Sequence, residues 1–260
     1  MAPPSEPPLR SSPRLPEGFG LVEMPAVAST NDEAKRLARA GAATGTLVWA
    51  HRQEQGRGRR GRPWSSPPGN LYTSLILRPR QDLAAMAQLS FVAALAVGAT
   101  VSALLPSAQW VCKWPNDVLV QGGKIAGILL ETESGANGAV DSLVLGVGIN
   151  VASRPDETER PAIALAEIGF AGDLEAVLTA YAAAIAAGIE RWNIGGFAPV
   201  RSSWLDRAQG RGGPVTVRLT HETFSGQFVD VDGEGALIVA MADGTRRRVA
   251  AGDVFFPSGA

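Results

Sequence analysis

The sequence predicts an α+β protein: a mixed, largely antiparallel sheet flanked by helices, followed by a small β-barrel. Three observations predict it. The apolar segments 83–105 and 173–192 have helical length. Between them, strand-like runs separated by short turns follow one another from 109 to 151, and such closely joined strands pair antiparallel. After 213, short strands alternate with Gly-containing turns at the regular spacing of a small barrel.

Composition narrows the class. A chain of 260 residues with 45% hydrophobic content can bury one sizeable core and a small second domain. A net charge of −1 argues against a general nucleic-acid binder, and no nucleic-acid partner is expected. The single cysteine, Cys112, excludes an intrachain disulfide, and the Pro/Ser-rich start has no apolar signal region, so a cytoplasmic location is expected. Gln88, Ser90, Gly98, Thr100 and Ser102 interrupt 83–105, which therefore reads as a buried helix and not as a membrane span.

In chain order, residues 1–15 are expected to form a disordered tail. Residues 20–25 read as a strand. Ser29-Thr30-Asn31 signals a helix start, with Thr30 and Glu33 at capping-box spacing, and the helix runs through Ala34, Leu37 and Ala38 to Gly41. Residues 46–51 and 70–77 read as strands, and Leu71, Thr73, Leu75 and Leu77 share a face. The helix 83–105 ends at Pro106. Strands are expected at 109–113, 118–120, 124–132 and 141–151, with turns at 114–117, 122–123 and 134–138. Helices follow at 173–192, with Asp173 as N-cap, and at 197–208. Residues 210–213 read as a linker to strands at 215–219, 223–230, 236–240 and 246–250. The expected division is a tail 1–15, a ligand-binding domain 16–209 and a small β domain 210–260.

The residues that carry chemistry centre on 53–64, Gln53-Glu54-Gln55-Gly56-Arg57-Gly58-Arg59-Arg60-Gly61-Arg62-Pro63-Trp64. Glycines let backbone N–H groups approach a ligand, and arginines recognise phosphate or carboxylate. Four arginines within six positions repel one another unless an anion is present. The Gly56-x-Gly58-x-x-Gly61 spacing imitates a dinucleotide fingerprint. The helix that such a site requires is missing, because Pro63, Trp64 and a Pro67-Pro68-Gly69 turn follow. Lys113-Trp114-Pro115-Asn116-Asp117 is either a structural turn or a means of aiming Asn116 and Asp117 at an anion and a divalent ion. Lys124 either snorkels or points its charge at a carboxylate or phosphate, with Gly127 leaving room for a ligand. Gly146-x-Gly148-x-Asn150 marks a close approach to a strand. Ser29, Thr30 and Asn31 are helix caps or ligand contacts.

In this order the stretches Ser29-Thr30-Asn31, Gln53 to Trp64, Lys113 to Asp117, Lys124 to Leu129 and Gly146 to Asn150 resemble the biotin–protein ligase family, over about 20–258. The resemblance implies a class II synthetase-like catalytic domain and an SH3-like C-terminal domain. It implies ATP, biotin and Mg²⁺ as ligands, with biotinyl-5′-AMP as intermediate and a lysine of a biotin carboxyl carrier domain as acceptor. It places biotin at Ser29, Thr30, Asn31, Gln53, Gly56, Arg57, Gly58, Arg59, Lys124 and Gly127. It places ATP or the adenylate at Arg57, Arg59, Arg60, Arg62, Trp64, Asn116, Lys124 and Asn150, and the metal at Asp117 and Asn150. Lys124, Arg59 and Asp117 are the expected catalytic residues. A weak homodimer is compatible with it, and no membrane partner is expected. Some family members carry an N-terminal helix-turn-helix that represses biotin synthesis; this chain shows none, so a ligase without repressor activity is expected. The rivals are a lipoate–protein ligase, which the Arg/Gly loop and the Lys-Trp-Pro-Asn-Asp turn oppose, and a non-catalytic biotin- or nucleotide-binding regulator, which would lack Arg59 or Lys124.

Overall fold

The strands between 20 and 150 join one seven-stranded sheet in this computed structural model, which describes residues 12–78, 83–134, 140–156, 158 and 161–257. They are β1 (Gly20–Met24), β2 (Thr46–Ala50), β3 (Leu71–Leu77), β4 (Trp110–Lys113), β5 (Asp117–Val120), β6 (Gly123–Ser134) and β7 (Val140–Ile149), in the order β1-β2-β3-β7-β6-β5-β4. β1 and β2 run parallel because helix α1 (Thr30–Arg39) carries the chain back between them. The other neighbours are antiparallel. The sheet is thus mixed, as expected, but its parallel edge is a βαβ unit that the hairpin reading did not anticipate. Of the turn expected at 134–138, residues 135–138 lie outside the described residues.

The two faces of the sheet differ. α3 (Leu89–Leu104), α4 (Leu174–Gly195) and α5 (Phe197–Leu205) pack on one face, burying Leu47, Leu71, Leu75, Ile125 and Tyr181 completely. Each such side chain contributes about 1.5–3 kcal/mol. On the opposite face α1 covers only part of the sheet, with Ala34 and Ala38 against Val48, Ile76 and Val144. The uncovered part of that face is the pocket.

Several expectations change. The helix expected at 83–105 is two helices, α2 (Leu83–Ala87) and α3, parted at Gln88. Gln88 accepts from Trp192 Nε1 at 2.8 Å and donates to the Gly233 carbonyl at 3.2 Å. The apolar stretch Ala85–Leu104 has the length of a membrane span, yet 56% of it is buried inside the protein. The capping box does not form. Ser29 is the N-cap without a side-chain cap bond, Thr30 turns toward Gln53, and Glu33 pairs with Arg36. Asp173 does cap α4, accepting from Ala176 N–H at 2.8 Å. Residues 12–15, expected in the tail, lie on the body: Arg14 N–H donates to Thr179 Oγ1 at 3.0 Å and Leu15 packs on the core. Residues 1–11 are outside the described residues.

The C-terminal unit is an antiparallel five-stranded sheet, β11-β10-β9-β8-β12. Its strands are β8 (Pro214–Arg218), β9 (Thr223–Val231), β10 (Leu237–Ala240), β11 (Arg246–Val249) and β12 (Asp253–Phe255). Four strands were expected; β12, only three residues long, has no readable alternation. The unit is anchored by Trp114, whose buried Nε1–H donates to the Gly235 carbonyl at 3.0 Å, and by Arg201 of α5, which pairs with Asp230.

Candidate active site

Side-chain alternation builds the floor of the pocket. Gly127 pairs with Gly148 and Leu129 with Gly146, so these residues face the side on which α1 lies. Lys124 is three residues from Gly127 and would point to the opposite face of a regular strand. A bulge shifts the β5–β6 register between Val118 and Leu119, sends Ile125 into the core, and leaves both Lys124 and Gly127 lining the pocket. The space over the glycines is not empty. A Cβ on Gly127 would lie 2.8 Å from Trp64 Cζ3, and one on Gly148 would lie 2.7 Å from Trp64 Nε1. The Trp64 indole lies over Gly127 and Gly148, and all three residues line the cavity. That indole has a buried Nε1 with no hydrogen-bond partner.

One end of the pocket is a buried hydrogen-bonded cluster. Ser29, Thr30 and Asn31 are 3–4% exposed. Gln53 Oε1 accepts from Thr30 N–H at 2.8 Å and from its hydroxyl at 3.0 Å, while Gln53 Nε2 donates to Ser66 Oγ at 2.9 Å. Ser74 Oγ lies 2.8 Å from Thr30 Oγ1 and 2.6 Å from Asn31 Oδ1. The Thr30 hydroxyl can donate to Gln53 Oε1 or to Ser74 Oγ, and the Ser74 proton is then free for Asn31 Oδ1, so the cluster is a continuous hydrogen-bonded chain. Gly56 closes this corner: a Cβ there would come 2.5 Å from Ser66 Oγ.

The arginine loop forms the opposite wall, turning sharply where Arg60 has φ +57° and Gly61 φ +70°. Its arginines do not wait for an anion, as the repulsion argument expected. The protein supplies carboxylates. Arg57 makes two hydrogen bonds to Asp32, at 2.6 and 2.5 Å, and reaches Glu131 at 3.0 Å. These contacts, led by the Asp32 hydrogen bond, hold Arg57 above its ordinary pKa and Asp32 below its own. Arg62 and Arg60 lie 2.6 and 3.5 Å from Asp253 on β12. Arg59 has no carboxylate within ion-pair distance among the described residues; its Nη1 reaches the Gly252 carbonyl at 3.4 Å. Burial pushes its guanidinium below the ordinary value. Of the four, Arg59 is the cation poised for a ligand.

Between these walls Lys124 Nζ lies 2.6 Å from Asp117 Oδ1 and 5.2 Å from the centre of the Trp64 ring. Asn116, expected at the nucleotide, spends its amide N–H on the Ile128 carbonyl at 2.7 Å. Asn150 donates to the carbonyls of Lys124 and Ile163, both at 3.2 Å, and so fixes the strand that carries Lys124. No group of three acidic, His or Cys side chains suited to a metal occurs among the described residues. A Mg²⁺ arriving on ATP phosphates would need only one or two protein oxygens, and Asp117 and Asn150 both line the cavity.

The structure gathers the expected residues around a single cavity of about 670 Å³. Of them only Arg60 is not in its lining. Sequence reasoning missed Ser66, Ser74, Glu131 and Asp253. Serines and acids in strands carry no sequence signal of their own; each acquires its role from a partner distant in the chain.

Such a pocket, sized for a small acid joined to a nucleotide, marks a ligase of the biotin/lipoate class. Residues 24–150 match the biotin/lipoate A/B protein ligase family and residues 212–256 match the biotin protein ligase C-terminal domain. A biotin–[acetyl-CoA-carboxylase] ligase of Paracoccus denitrificans is 43% identical over 235 residues, covering 88% of this chain and 97% of that protein. One of Mycobacterium tuberculosis is 33% identical, covering 91% and 90%. The biotin protein ligase of Aquifex aeolicus in complex with biotin and ATP superposes with a TM-score of 0.77 at 29% identity, covering 90% of this chain and 97% of that one. The chain belongs to the biotin protein ligase family.

Proposed function

We propose that this biotin–protein ligase seats the ureido end of biotin at Thr30, Asn31 and Gln53 and brings its carboxylate to Lys124. ATP lies beyond, between Trp64 and the arginine loop. The carrying observation is the buried cluster of Thr30, Asn31, Gln53 and Ser74 at one end of the pocket: its hydroxyl and amide groups suit the N–H and C=O groups of a cyclic urea, whereas the dithiolane of lipoate offers no hydrogen-bonding hydrogen or oxygen to them.

In the first step a biotin carboxylate oxygen attacks the α-phosphorus of ATP and the bond to the departing pyrophosphate breaks. Two anions must meet, so the step needs fixed positive charge. Lys124, oriented by Asp117, supplies it at the junction, and Arg59 supplies it from the loop. Asp117 and Asn150 would hold a Mg²⁺ that enters with ATP, and the ion would supply further positive charge against the phosphates. In the second step a lysine amine of a carboxylase carrier domain attacks the acyl carbon, and AMP leaves with the electrons of the broken C–O bond. Arg59 retains the adenylate until then, and the loop keeps water from the mixed anhydride. Arg57, Arg60 and Arg62 shape the loop through their carboxylate partners. We place this activity in the cytoplasm, with the division at 209/210 separating catalytic and C-terminal domains.

Exchange of labelled pyrophosphate into ATP tests the reading. Biotin should drive it. Exchange driven by lipoate and not by biotin would sink the assignment.

A further inference from the structure

Glu131 touches both walls of the pocket. It stands on β6 opposite Val144, on the same face as Gly127 and Leu129. Its Oε2 accepts from Asn31 Nδ2 at 2.7 Å and from Arg57 Nη2 at 3.0 Å, and Lys35 Nζ lies 3.1 Å from Oε1. We propose that Glu131 is a positioning residue for the ligase reaction: one carboxylate fixes the Asn31 amide at the biotin end and tethers Arg57 of the loop.

The argument is one of hydrogen-bond polarity. An ionised carboxylate only accepts, so Asn31 must turn Nδ2 toward Glu131 and Oδ1 toward Ser74. The amide has little other freedom, because a Cβ on Gly146 would lie 2.2 Å from Asn31 Oδ1. Glu131 thereby decides whether this corner of the pocket offers an oxygen or an NH₂. Burial pushes its carboxyl up, but hydrogen bonds from Asn31 and Lys35 and the charges of Lys35 and Arg57 hold it below the ordinary range. The same oxygen reaches Arg57, so the orientation of the pocket amide and the seat of the loop share one acceptor. A bland alternative lies next door: Glu133 on the same strand pairs with Lys35 at 3.8 Å and Arg39 at 2.6 Å, a surface lattice tying α1 to β6.

This inference rests on the assignment of Ser29 to Asn31 to biotin, and the test separates the two. Glu131→Gln keeps the shape but can present an NH₂ to Asn31 and cannot hold Arg57 by charge. It should raise the biotin KM of pyrophosphate exchange about tenfold, the scale of one charge-assisted hydrogen bond. It should also speed tryptic cleavage of the ligand-free loop and leave the melting temperature near wild type. Adding Arg57→Gln should cost less than the sum of the two single changes. Glu133→Gln should alter neither readout. A wild-type biotin KM and wild-type cleavage for Glu131→Gln, or equal effects from Glu133→Gln, would overturn the proposal. If instead the biotin assignment is at fault, Asn31→Ala leaves the biotin KM unchanged; if only the Glu131 role is at fault, Asn31→Ala raises it and Glu131→Gln does not.

Discussion

The two walls of the pocket are held by different physics. Thr30 and Asn31 of α1 and Ser74 of β3 are buried and joined by hydrogen bonds, with buried Ser29 just before them as the N-cap of α1. Except where Asn31 meets Glu131, that cluster has no titratable partner. The arginine loop has no regular structure beyond a single turn and is held by ion pairs to two different places, Asp32 and Glu131 on one side and Asp253 of the C-terminal sheet on the other. Partly exposed pairs of this kind are individually weak and exchangeable. The difference teaches that the wall proposed for biotin is prebuilt, whereas the wall proposed for ATP is assembled from charges that a competing anion could displace. A lid needs the second kind of wall, because it must open and close around each turnover.

The largest expected effect falls where the walls meet. Lys124→Ala should lower pyrophosphate exchange about 10²–10³-fold with an unchanged fold, the range seen for a lost preorganised charge. Near-normal exchange would remove Lys124 from the chemistry. Ser74→Ala probes the prebuilt wall. It takes the hydroxyl partner from both Thr30 and the buried Asn31 carbonyl oxygen and should raise the biotin KM about tenfold, with the ATP KM unmoved. Equal rises in both would mean that the walls are not separate. Asp253→Asn probes the exchangeable wall. Loss of the partner of Arg62 and Arg60 should raise the ATP KM a few-fold and quicken loop proteolysis, at constant biotin KM; a biotin effect alone would contradict the comparison. The smallest effect is on pH. Asp32 and Glu131 titrate below their ordinary values of 3.8 and 4.5. Depressed carboxylates stabilise above their unfolded pKa values, and that contribution fades as pH falls through the folded ones. Hydrogen-exchange protection of the loop should therefore be full above pH 4.5 and fade progressively below it as the pH falls through the lowered folded values, while amides around Thr30 and Gln53 stay protected. Simultaneous loss would erase the distinction.

Much of this was legible in one dimension. Hairpin turns and apolar runs mark all seven strands of the main sheet and its large helices, because periodicity is a local property. The glycine spacing at Gly146 and Gly148 announced a close approach, and the side chains that approach are Asn31 at Gly146 and Trp64 at Gly148. The capping spacing of Thr30 and Glu33 misled, since a cap competes with any tertiary partner, and Gln53 is the better partner for Thr30. The arginines were legible as a cluster but not in their pairing. A charge reveals its sign in the sequence and its partner only in space.

The sequence by itself indicated most of the residues that carry chemistry in the pocket and what that chemistry is suited to, because residue types and their order are intrinsic to the chain; Ser66 and Asp253 of the lining escaped it. Only the tertiary structure decided which arginine is left for a ligand, which way the Asn31 amide faces, and that an acid of the C-terminal sheet steadies the loop of the catalytic domain. The physical reason is distance along the chain. Arg62 and Asp253 stand 191 positions apart, and Asn31 and Glu131 stand 100 apart. No local pattern encodes a contact whose energy exists only after the chain has closed on itself.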